Sequence, residues 1–361
     1  MGNLSFDTLL LLIITSMTII MVASLFVWGR VYLRRQREQN EISERRQREQ
    51  DGIPELLNGR YRIGYELGRG MNAVTFLVED KKDPNFNLVA KILLTSKDNP
   101  GITRESFRRH LARFQREMKH LEQVKESEYI VPIHAFYPNA LPPFFVMKRC
   151  ERSLSDQLSG GPLSIENVLD AMADILQGLE VIHKKNIIHR DLKPANILWY
   201  EGRWVLSDFG MSLLGEERSV VTVQESLPGT IPYTATEVLY SETVKPSADI
   251  FSLGVCLKEM LTKQMTRDKK PSELLLNGTD SQTKKEVEYF DEFVTKMTDY
   301  NPRYRPQSVR EVAEGLRGIF MKINSLRTSK NSLKNIYRLD EIGFKSQLNK
   351  NTEQTSKEYQ N

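Results

Sequence analysis

Two acids and an amide stand at a spacing suited to moving a phosphoryl group. The run His189-Arg190-Asp191-Leu192-Lys193-Pro194-Ala195-Asn196 is followed by Asp208-Phe209-Gly210. Phosphoryl transfer passes through a loose, charge-spread state, so a protein contributes positioning and charge neutralisation rather than covalent chemistry. Asp191 can take the proton of an attacking hydroxyl. Asn196 offers an amide oxygen to magnesium and Asp208 a stronger carboxylate ligand, and a hard cation prefers such oxygens together with phosphates. Lys193 would place a cation on the γ-phosphate. Alone, an Asp-Phe-Gly is usually a turn and a His-Arg-Asp a solvated loop; in this order, with the matches below, they are not.

These groups need elements to hold them. Upstream, Leu67-Gly68-Arg69-Gly70-Met71-Asn72-Ala73 lies between two alternating apolar stretches, Tyr61 to Leu67 and Val74 to Val78, which read as a hairpin whose glycines let backbone approach phosphates. Val89-Ala90-Lys91-Ile92 follows on a strand. Phe107 to Val124 reads as an amphipathic helix, with Leu111, Phe114, Met118 and Leu121 at helical spacing. Phe144-Phe145-Val146-Met147 reads as another strand.

Taken together, these motifs resemble the eukaryotic-like (Hanks-type) serine/threonine protein kinases, and their order suggests a bacterial member. The resemblance covers about Tyr61 to Phe320 and implies an α+β, two-lobed fold with a small β-rich N-lobe and a larger helical C-lobe. It implies ATP as cosubstrate and magnesium, with manganese as a substitute, as cofactor. Asp191 becomes the catalytic base, Lys193 a mark of serine/threonine specificity, and Asn196 and Asp208 the metal ligands. Lys91 is expected on the α/β-phosphates, paired with Glu117. The nucleotide site is expected to include Gly68, Arg69, Gly70, Met71, Asn72, Ala73, Thr75, Val89, Lys91, the gatekeeper Met147, Cys150 in the hinge, and Leu198. The activation segment runs to Ala235-Thr236-Glu237, with Thr230 shaping the acceptor site and Glu237 pairing with Arg305. Asp249-Ile250-Phe251-Ser252-Leu253-Gly254 is expected to form the helix that anchors the catalytic loop. Thr222, with Ser219 and Ser226 as alternatives, is the expected site of activating autophosphorylation, which calls for a transient homodimer.

This chain departs from the family pattern in places. Ala73 replaces a third glycine, Thr75 a valine, Val89 an alanine, Thr236 a proline and Phe251 a tryptophan. None removes a catalytic charge, though the bulk of Val89 is expected to narrow the adenine pocket. A pseudokinase scaffold is the alternative, but such proteins typically lack the lysine, the base or the metal ligands, and all are present.

The remaining sequence speaks to location. Thr8 to Trp28 is an uncharged run of 21 residues; at about 1.5 Å per residue it spans a hydrocarbon core of about 30 Å. Arg30, Arg34, Arg35 and Arg37 follow it and only Asp7 precedes it as a charge, so a single-pass helix in the cell membrane is expected with the kinase on the cytoplasmic side. The expected order is an external N-terminus at 1–7, a transmembrane helix at 8–28, a basic linker at 29–60, the kinase domain at 61–321 and a disordered basic tail at 322–361. Within the linker Arg34-Arg35-Gln36-Arg37-Glu38-Gln39 recurs as Arg45-Arg46-Gln47-Arg48-Glu49-Gln50. The net charge of +4 lacks the interleaved aromatics of a nucleic-acid binder, so none is expected; the partners are protein substrates, ATP and the membrane. With only Cys150 and Cys256, no disulfide is expected and a reducing compartment fits.

Overall fold

Period-2 alternation in the first half of the chain produces a six-stranded antiparallel sheet. The computed structural model describes residues 55–70, 73–94, 104–210, 213–214, 231–240, 244–265, 269–275 and 278–326. The strands are β1 (Leu56–Leu57), β2 (Tyr61–Arg69), β3 (Ala73–Asp80), β4 (Asp83–Leu93), β5 (Ile133–Tyr137) and β6 (Phe144–Lys148), in the order β1-β2-β3-β4-β6-β5. Successive side chains on a strand point to opposite faces. Val74, Phe76, Val78, Ala90, Ile92, Phe144 and Val146 accordingly share one face and pack with Leu57, Tyr61 and Ile63 into a small separate core. Thr75, Val89, Lys91 and Met147 occupy the other face, because Thr75 stands opposite Lys91, and Val89 opposite Met147.

That second face is closed by α1 (Arg104–Val124), whose Phe114, Glu117, Met118, Leu121 and Val124 are all buried along one stripe. The helix is the amphipathic segment expected from the sequence.

Beyond β6 the chain is mostly helical. A strand β7 (Arg152–Ser153) leads into α2 (Leu154–Ser159), which Ser153 and Asp156 start with a reciprocal capping box. Then come α3 (Ile165–Lys184), β8 (Ile187–Ile188), β9 (Ile197–Tyr200), β10 (Arg203–Leu206) and β11 (Leu213–Leu214). They are followed by α4 (Thr236–Tyr240), α5 (Ser247–Thr262), α6 (Ser281–Met297) and α7 (Val309–Leu326). Small ladders β10-β9-β7 and β11-β8 flank the loop that carries Asp191. α5 is buried nearly all round, as befits a central helix with no solvent face. Around it α3, α6 and α7 complete one large core that continues up to Phe145 and Met118 beneath the sheet.

The folded unit reaches past both expected edges. Leu56 and Leu57, inside the segment read as linker, pair with Arg62 and Tyr61, and Leu57 is buried. At the other end α7 runs to Leu326, because Ile323 is fully buried in the large core. Among the described residues no helix is long and apolar enough to cross a membrane, and the run Thr8–Trp28 lies outside them.

Candidate active site

Three groups from distant parts of the chain meet between sheet and helices. Lys91 Nζ lies 2.6 Å from Glu117 Oε1 on α1 and 2.9 Å from Asp208 Oδ1. Glu117 is the partner expected from the sequence. The contact with Asp208 ties both to the segment after β10. Gly210 makes this fit possible, since a Cβ there would stand 3.2 Å from Asp208 Oδ1 and 3.4 Å from Glu117 Oε2.

The electrostatics follow from burial and neighbours. Burial would raise Asp208, but the Lys91 charge and hydrogen bond prevail and hold it at about 2, so it stays ionised. Glu117 is pushed up to about 7, chiefly by burial and also by Asp208, with Lys91 opposing. Burial opposes the charge on Lys91, yet the two carboxylates outweigh it and raise the lysine.

The second cluster is local to one loop. Lys193 Nζ approaches Asp191 Oδ1 and Oδ2 at 3.1 and 2.9 Å. Asn196 Nδ2 donates to the Asp191 carbonyl at 2.8 Å and to its Oδ2 at 3.0 Å. With its nitrogen so committed, Asn196 keeps Oδ1 as the atom a cation could take. Burial raises the Asp191 carboxyl, Lys193 lowers it, Asp208 adds to the rise, and the net direction is upward.

This loop is fastened from beneath. Asp249 of α5, fully buried, accepts the backbone N–H groups of His189 at 2.9 Å and Arg190 at 2.8 Å, and bonds to His183 Nε2 at 2.8 Å. Arg190 and Asp208 both have positive φ, at 66° and 60°. Such backbone is costly for a non-glycine residue and persists where surroundings enforce it. His189 bonds through Nε2 to the Ser207 carbonyl at 3.0 Å, and its ring stands 4.9 Å from the buried Phe209 ring. Ser207 in turn donates through Oγ to the Asn196 carbonyl at 3.0 Å. His183 and Ser207 were not singled out in the sequence; their only signals were a histidine ending a helix and a hydroxyl next to Asp208.

Around the cleft, Val89 is buried, and Met147, Cys150 and Leu198 are partly buried against the large core. Burial pushes the Cys150 thiol up to about 12, so it is no thiolate. Both cysteines are free. Gly68 and Arg69 end β2, and Gly70 N bonds to the Ala73 carbonyl at 2.8 Å across the turn. Thr75 is more than a valine substitute, because its hydroxyl donates to the Gly68 carbonyl at 3.0 Å and staples the two strands beside this turn. Met71, Asn72, Ser219, Thr222, Ser226 and Thr230 lie outside the described residues.

Glu237 and Arg305 meet as expected, at 2.5 and 3.0 Å in a two-pronged pair. The Arg305 guanidinium also lies 4.8 Å from the centre of the Phe251 ring, so phenylalanine supplies an aromatic face at the position where tryptophan is usual.

The family model for the protein kinase domain matches residues 61–317. The chain belongs to the protein kinase family. Among curated proteins, the kinase domain and its flanks are similar to serine/threonine-protein kinase C of Synechocystis sp., 32% identical over 286 residues, covering 74% of this chain and 51% of that protein. Serine/threonine-protein kinase PknA of Nostoc sp. is 33% identical over 234 residues, 62% of this chain and 39% of the relative. For serine/threonine-protein kinase PknB of Mycolicibacterium smegmatis the values are 31% over 218 residues, 58% and 33%. The alignments thus span between a third and a half of the length of these relatives.

Proposed function

We propose that the protein is a membrane-anchored serine/threonine protein kinase that transfers the γ-phosphoryl group of ATP to serine and threonine hydroxyls of proteins, itself included. The observation that carries this reading is the Lys91-Glu117-Asp208 triad standing with the Asp191-Lys193-Asn196 cluster, a complete set of catalytic groups. A pseudokinase reading has no missing group to rest on.

In the proposed reaction the acceptor oxygen attacks the γ-phosphorus, the bond to the bridging oxygen of ADP breaks, and the hydroxyl proton passes to Asp191. Its upward-shifted carboxyl suits a proton acceptor. Lys193 holds that carboxylate in place and presents positive charge to the transferring group. Lys91, fixed by Glu117, offers its ammonium to the α/β-phosphates. The donor set also fits magnesium: Asn196 keeps an amide oxygen available and Asp208 stays ionised, both hard oxygen ligands. Magnesium held there would neutralise phosphate charge, and manganese has the same ligand preference.

The anchor is the Thr8–Trp28 run, with arginines after it favouring a cytoplasmic kinase. Activation is by autophosphorylation between two copies in transient contact, at Thr222 or its neighbours Ser219 and Ser226. Purified full chain is expected to phosphorylate itself and a generic basic protein, and Lys91→Ala, Asp191→Asn and Asp208→Asn should each lose about 10²-fold or more. Activity of Asp208→Asn near the parent level would overturn the metal assignment. Carbonate washing and protease protection test the anchor, and release of the chain into the soluble fraction would refute it.

A further inference from the structure

Outside the catalytic cleft, α1 and the strand β5 frame a groove of about 680 Å³. Its apolar lining includes Met118, Ile133 and Phe136, and its polar lining Lys119, Glu122 and Lys125. β5 is the last strand of the sheet, hydrogen-bonded only to β6. Lys125 pairs with Glu122 at 2.9 Å, which leaves Lys119 to set the sign of these three charges. Apolar lining bordered by basic charge suits an apolar segment that carries acids.

The tail after α7 contains such a segment. In a stretch otherwise rich in Lys, Asn, Ser and Gln, Leu333, Ile336, Leu339 and Ile342 recur at every third position, joined by Tyr337 and Phe344. The adjacent acids Asp340 and Glu341 fall inside it. Two other occupants fit less well. The chain preceding β1 enters at the opposite edge of the sheet, five strand spacings from β5, or about 24 Å at about 4.8 Å each. A second copy docking by its own groove would bring Lys119 and Lys125 against themselves, since a two-fold contact is self-complementary.

We infer that residues 336–344 dock in the groove between α1 and β5, with Asp340 and Glu341 meeting Lys119 and Lys125 and the apolar side chains covering Met118, Ile133 and Phe136. Ten residues from Leu326 to Ile336 give the tail a reach of about 33 Å at about 3.3 Å per residue. The docked tail bears on α1, the helix that carries Glu117, and so on the position of the Lys91 partner.

Hydrogen–deuterium exchange on the full chain in detergent micelles tests this without using turnover, so it stands apart from the kinase reading. Leu339→Asp with Ile342→Asp is expected to speed exchange in 115–125 and 133–138 about tenfold while 309–326 is unchanged. Lys119→Glu with Lys125→Glu should do the same. Adding Asp340→Lys and Glu341→Lys to that variant should restore protection. Equal exchange in the parent and the Leu339→Asp, Ile342→Asp chain overturns the inference, as does failure of the charge reversal to rescue. Protection that disappears on dilution also overturns it, in favour of a second copy as the occupant.

Discussion

Asn196 spends its side-chain nitrogen on Asp191, donating to the backbone carbonyl at 2.8 Å and to Oδ2 at 3.0 Å. One amide therefore orients the proposed base and reserves its oxygen for a cation. Asn196→Asp keeps the oxygens but replaces the donor with a negative charge beside Asp191. A like charge disfavours ionisation, so the acid limb of the kcat/KM profile is expected to move to higher pH. Activity at neutral pH should fall about 10²-fold. Steady-state kinetics across pH check both outcomes.

Glu117 supplies a pH signature of its own. Its folded value is pushed up to about 7 by burial, above the ordinary carboxylate value of about 4.3. Between those values the folded chain holds a proton the unfolded chain has released. The stability from this group is thus complete below about 4.3 and is lost as pH rises through about 7. Thermal melts at pH 5.5 and 8 should show a smaller difference for Glu117→Gln than for the parent. Activity runs the other way, rising as the carboxylate ionises and pairs with Lys91.

Arg305 has no exposed side-chain surface, and besides Glu237 it donates to the carbonyls of Asp299, Ser247 and Tyr300. Removing one partner of a buried pair strands the other charge, typically at about 3–5 kcal/mol. Arg305→Ala and Glu237→Ala are each expected to destabilise by that order in urea unfolding. The Arg305→Ala, Glu237→Ala double variant should lose less than the sum, which a double-mutant cycle measures.

Arg190 is lowered to about 10, mainly by burial, with Asp249 opposing and the nearby charges of Arg113 and Arg116 adding to the fall. Three guanidinium groups this close favour an anion among them, and a phosphate of charge about −1.5 to −2 is a strong one. The Ser219→Ala, Thr222→Ala, Ser226→Ala triple variant should phosphorylate an added substrate about tenfold more slowly than the parent. Equal rates would refute phosphate control while leaving the catalytic assignment intact.

Legibility in the sequence followed the range of each interaction. Asp191, Lys193 and Asn196 sit within one loop, so their spacing along the chain already constrains their spacing in space. The strand alternation of Tyr61 to Val78 and the helical stripe of α1 are also local patterns, and both formed where the sequence placed them. Glu117 could be chosen as the partner of Lys91 only because a family pattern ordered the segments. That Lys91 also reaches Asp208, 117 residues away, depends on the sheet, α1 and the loop after β10 closing on one another. The same holds for Asp249 fastening His189 and Arg190, for His183 and Ser207 joining that network, and for Thr75 stapling Gly68. Each is a hydrogen bond between segments whose approach is set by burial of the apolar faces beneath them. A single position in the chain cannot announce such a bond, because its geometry belongs to the packed core.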